Sequence, residues 1–163
     1  MSAAHSPWAP DLYEKALAIG AMLMLAAATA AILRGYAAWA GVPAVVWLHL
    51  ATIFAALILT PVMLLRPRGD RRHRELGYMW VGSMVLTALF SLFVKVISPG
   101  HFSLIHILSV AVLITVPRLA RSAHRHNIRA HRRSVKAIVT SALLVADFFT
   151  LSANRLLGGW LFG

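Results

Sequence analysis

The chemistry this sequence can offer rests on four histidines, His49, His73, His106 and His131, and on their spacing. His49 precedes His106 by 57 residues and His73 precedes His131 by 58. Their surroundings repeat with them. LHLATIFAALILTPV aligns with IHILSVAVLITVP, RRHRELG aligns with RAHRRSV, and Pro61 precedes Pro117 by 56 residues. Two copies of a unit with a histidine near each end are the mark of a duplicated membrane hairpin. In a two-fold bundle, equivalent residues face each other at one depth. His49 then pairs with His106 near one surface, and His73 with His131 near the other.

Facing histidines on bundle helices are a known way to hold a metal or haem. Two neutral imidazoles supply both axial ligands of a b-type haem, and the porphyrin supplies the rest. Zinc requires about four protein ligands or an open water position, and no carboxylate accompanies either pair. The expected cofactor is therefore haem b, with the four histidines as iron ligands. If both pairs are used there are two haems, stacked about 20–30 Å apart. Ser109, one turn after His106, and Gly77, one turn after His73, leave room for a plate. Arg72, Arg74, Arg132 and Arg133 are placed to pair with propionates.

A structural reading competes with this one. Histidines at an interface anchor helices there, and histidines inside a span hydrogen-bond to neighbouring helices. His101, His124 and His126 have no repeat partner and read as loop residues; His5 belongs to a Pro-rich amino terminus. Asp147 stands in an apolar stretch with no basic residue within a turn. Ionisable groups inside a membrane are functional candidates by default. Asp147 is thus a candidate proton or quinone site, or an acid hydrogen-bonded between helices. The absence of cysteine excludes disulfides, thiolate zinc sites, iron–sulfur clusters and covalently attached haem.

The elements that must position these residues are membrane spans. Of the 163 residues, 60% are hydrophobic and only 13% charged. Five apolar stretches approach the roughly 20 residues a bilayer needs, at about 16–33, 44–65, 76–97, 102–120 and 137–153. The formal net charge of +11 suggests nucleic acid at first sight, but 12 of the 16 Lys and Arg fall in two short connections. Those connections lack aromatic residues for base stacking. Short basic loops stay on the cytoplasmic side, so the amino terminus is expected inside and the carboxyl terminus in the periplasm. Ala38-Trp39-Ala40 has a cleavage-site form, yet Asp11 and Glu14 precede it, and the first span is expected to be retained. Trp39, Trp47 and Trp160 read as belt residues at one surface, and Tyr78 and Trp80 at the other.

RGDRRHRELGYMWV, FSLIHILS and AHRRSV resemble an uncharacterised family of bacterial membrane proteins, the domain of unknown function 2306. The resemblance runs from His49 to the end, and the four histidines fall on its histidine positions. Ser152-Ala153-Asn154-Arg155 and Asp147 depart from its pattern. It implies a membrane fold and no activity. Separately, the histidine arrangement is similar in architecture to di-haem cytochrome b561 bundles.

The sequence thus predicts a single all-α, multipass domain over residues 1–163 of a bacterial inner-membrane protein. A first span at 16–33 precedes hairpins at 44–97 and 102–153, which form a pseudo-two-fold four-helix bundle. The expected function is bis-histidine haem electron transfer linked to quinol. The alternative is a cofactor-free accessory subunit, assembly factor or small transporter. Lipid, quinol, a redox partner and a second copy of the chain are the partners considered; nucleic acid is not.

Overall fold

The computed structural model describes residues 9–67, 69–94, 104–124, 128–152 and 155–163. His5, Lys95, His101 and His126 lie outside the described residues, as does the side chain of His124. All elements among the described residues are helical.

Helix α1, Leu12–Arg34, begins in a capping box: Asp11 accepts from the Glu14 N–H at 2.9 Å, and Glu14 accepts from the Asp11 N–H at 3.0 Å. The two carboxylates satisfy backbone donors that a helix start leaves unpaired. A 3-10 turn, Tyr36–Gly41, leads to α2, Ala44–Leu65, which begins just after Pro43. Gly69, at φ +90°, makes the tight turn to α3, Arg71–Phe93, whose N-cap Asp70 accepts from the His73 N–H at 2.6 Å. Only glycine takes that backbone conformation without strain.

Helix α4 spans Leu104–His124 and α5 spans Ile128–Ile138. Helix α5 continues without a break into a π-helical stretch, Val139–Val145, and then α6, Ala146–Thr150. Helix α7, Leu156–Phe162, closes the chain. The repeated histidines start their helices alike: His49 and His106 lie early in α2 and α4, and His73 and His131 early in α3 and α5.

Helices α1, α2 and α3 are long and apolar enough to cross a membrane, so the chain reads as a membrane protein. The expected fourth and fifth spans fall on α4 and on the continuous helical run of residues 128–150. Large apolar side chains such as Ile58, Leu86, Ile107 and Phe148 are exposed, as a lipid-facing surface requires.

Packing runs in chain order, α1 on α2, α2 on α3, α3 on α4 and α4 on α5. Helix α1 is a full member of the bundle, not an appendage to the two hairpins. Its Leu17, Ala18 and Ala21 share one core with Leu57, Met84, Val116 and Leu143. Alanines at that seam let backbones approach closely where lipid offers no hydrophobic driving force.

The chain's two ends of the bundle differ in chemistry. At one, Trp39 and Trp47 meet edge to face with centroids 5.4 Å apart. At the other, the starts of α3 and α5 and the end of α4 carry arginines. Trp80 is not a belt residue: it is buried, and its indole N–H donates to Thr60 Oγ1 at 2.9 Å.

Candidate functional site

The seam joining α2, α3 and α4 carries a ladder of hydroxyls in otherwise apolar surroundings. Thr60 accepts from Trp80 and donates to the Ala56 carbonyl at 2.7 Å. Two turns nearer the tryptophan end, the Thr87 hydroxyl donates to Thr52 Oγ1 at 2.9 Å. One turn beyond Thr87, the hydroxyls of Ser91 and Ser109 hydrogen-bond to each other. Paired hydroxyls are tolerated in hydrocarbon; unpaired ones cost several kcal/mol, roughly 2–7. Ser109 is therefore committed to α3 and does not open space beside His106. At Gly77 a Cβ would make ordinary contact with Met63 Cε at 3.5 Å, so the position borders a packed side chain of α2.

His49 joins this layer. Its Nδ1 lies 3.0 Å from the Thr87 carbonyl oxygen. A carbonyl only accepts, so Nδ1 carries the proton and Nε2 keeps its lone pair. A ring nitrogen pinned to a backbone carbonyl in this way sets the tautomer of the whole imidazole.

On its other flank His49 lines a cavity of about 30 Å³ together with Met24, Ala28, Phe54, Asp147 and Thr150. That is room for a water or two. Asp147 as a residue is half-buried, but its Oδ2 is enclosed and has no hydrogen-bond partner among the described residues. An enclosed polar atom left unmatched costs about 1–3 kcal/mol. A proton, a water or a cation must meet it.

The helical run that brings Asp147 here is unusual. The π-helical turns of Val139–Val145 immediately precede it, and π-bulges are rare features that often mark functional sites. Two hydrophilic groups 98 positions apart in sequence, His49 and Asp147, thus meet at one small space.

The expected histidine pairs would join α2 to α4 and α3 to α5. Helices α2 and α4, and likewise α3 and α5, have no substantial packing seam among the described residues, as helices across a bundle diagonal would. Thr87 takes His49, and Ser91 takes Ser109. Four residues separate Thr87 from Ser91 and three separate Ser109 from His106 on an antiparallel neighbour. His106 therefore starts roughly 6–10 Å nearer the tryptophan end than His49, the lower figure from the Thr52–Thr87 rung and the upper from the His49–Thr87 bond. His73 and His131 are half-buried at the arginine end. Among the described residues, no three His, Asp or Glu side chains gather as a metal would require.

The arginine expected at a haem propionate has another partner. Arg132 holds Glu14 through Nε at 3.1 Å and Nη2 at 2.9 Å, and reaches Asp11 at 3.2 Å. Glu14 is buried, with 2% of its side chain exposed. Lys136 also pairs with Asp11 and lies over the Tyr13 ring, 5.5 Å from its centre. Tyr13 in turn bonds Thr140 at 2.7 Å. Burial works against ionisation of Asp11, but the hydrogen bond from Lys136, that from the Glu14 N–H and the two cations outweigh it and hold the carboxyl below its ordinary value. This cluster clamps the start of α1 onto α5. Sequence spacing gave no sign of it, because 118 residues separate Glu14 from Arg132. Arg72, Arg74 and Arg133 are exposed.

No family model, curated protein or solved structure matches the chain.

Proposed function

We propose that the chain is a five-span inner-membrane protein that handles protons at the cavity between Asp147 and His49. The observation that carries this reading is the enclosed, unmatched Asp147 Oδ2 beside a water-sized space shared with a histidine of fixed tautomer. Positive-inside charge orients the bundle with its amino terminus cytoplasmic and its carboxyl terminus periplasmic. The cavity then lies in the periplasmic half.

The Asp147 carboxyl gives its proton to a water in the cavity, and that water gives one to His49 Nε2. The products are a carboxylate and an imidazolium whose Nδ1–H stays on the Thr87 carbonyl. A quinol, which releases protons with its electrons, is the class of partner such a site would serve.

Infrared difference spectroscopy in bilayers tests this. Changing pH should change a carboxylic-acid C=O band that is missing in Asp147→Asn and displaced in His49→Gln. A spectrum unchanged by Asp147→Asn would overturn the reading.

A b-type haem is the second reading, favoured by the free lone pair on His49 Nε2. His49 and His106 would hold an outer haem, and His73 and His131 an inner one; the group would supply one-electron transfer. The His49–Asp147 cavity is too small for a porphyrin, so a plate would need other space. The axial offset of His106 would also have to be met by its tilt. A dithionite-reduced minus oxidised spectrum decides: protein from haem-sufficient cells should show b-type bands, and a colourless preparation rules this reading out.

A further inference from the structure

The five acidic residues of this chain are Asp11, Glu14, Asp70, Glu75 and Asp147. Four of them are committed at the arginine end. Asp11 and Glu14 hold Arg132 and Lys136, Asp70 holds Arg66 at 3.2 Å, and Glu75 holds Arg71 at 2.9 Å. The fifth, Asp147, is at the cavity near the other end. No carboxylate side chain is left over for the exposed Arg72, Arg74, Arg118, Arg121, Arg129 and Arg133.

These six share one end of the bundle. Arg72 and Arg74 lie in the first turns of α3, Arg118 and Arg121 in the last turns of α4, and Arg129 and Arg133 in the first turns of α5. Helix α4 runs antiparallel to α3, as the Ser91–Ser109 bond near the far end requires, and packs on both α3 and α5. Helix α5 also divides its cations by face. Arg132 and Lys136 turn to the α1 carboxylates, while Arg129 and Arg133, one turn apart, remain exposed.

A guanidinium is planar and always charged, and its paired donors match phosphate oxygens. Three helix ends, each with two such groups, border apolar surface that lies in the bilayer. The anion available at that depth is the phosphodiester of a lipid headgroup. We infer that this end of the bundle is a docking surface for anionic phospholipids, whose headgroups seat on the arginine pairs of α3, α4 and α5 and supply the countercharge that the chain lacks. Acyl chains of the same lipids would lie along the exposed apolar faces of these helices. This inference does not depend on the Asp147 site.

Native mass spectrometry of the detergent-purified protein, offered equal phosphatidylglycerol and phosphatidylcholine, tests it. The intact chain should retain phosphatidylglycerol in preference, and the preference should fall by about fivefold for each arginine removed. The probes are Arg129→Gln/Arg133→Gln and Arg118→Gln/Arg121→Gln, with helical content checked by circular dichroism. Equal retention of the two lipids by the intact chain would overturn the inference without any variant. Displacement of phosphatidylglycerol by millimolar inorganic phosphate would also overturn it, since the surface would then be a soluble-anion site.

Discussion

At the scale of single residues, the chain spends its few acids on specific partners. Glu14 is buried under a two-pronged contact from Arg132. Glu14→Gln should lower stability against denaturing detergent by about 2–3 kcal/mol, less than orphaning a buried ion outright because Asp11 still faces Arg132. Asp11 adds a pH dependence. Its folded carboxyl titrates below the ordinary 3.8, so its contribution is complete above that value and is lost as pH falls through the lower folded one. Thermal unfolding followed through that acid range should show the loss, and Asp11→Asn should flatten it. His49 and Asp147 were each visible as polar residues in apolar stretches. Their meeting was not, because a contact across 98 positions leaves no local pattern.

At the scale of elements, the helices follow from composition and their caps from Asp11, Asp70 and Gly69. The π-helical stretch is what sequence periodicity missed. It gives the helical run of residues 128–150 wider turns just before Asp147, where α3 keeps α-helical turns throughout. A π turn holds one residue more than an α turn, so deleting Ser141 should convert the stretch to regular helix and leave Asp147 facing the cavity. The acid C=O band should then keep its pH response while helical content holds, and a loss of that response would show that the wide turn itself aims the acid. A Cβ on Gly158 would meet the Ser152 carbonyl oxygen at 1.8 Å, contact with backbone that cannot swing aside. That glycine is needed for α7 to fold back on the end of α6.

At the scale of the whole molecule, the cations fall into different roles: Arg132 and Lys136 are matched by Asp11 and Glu14, while six exposed arginines gather at the ends of α3, α4 and α5. Reporter fusions should place the arginine end in the cytoplasm: a periplasm-dependent reporter should be active after Gly163 and silent after a break between Arg66 and Asp70. The reverse pattern would invert the topology. By itself the sequence determined that the chain is helical and that it carries helices long and apolar enough for a bilayer. Those properties are local, set by composition, hydrophobic length and capping residues. Only the tertiary structure decided partners. It drew α1 into the core through Glu14 and Arg132, turned His49 onto Thr87, shifted His106 along α3 from His49, and brought Asp147 to the cavity. Such choices are made by the register of one helix on another, which depends on packing and on hydrogen bonds between residues far apart in the chain.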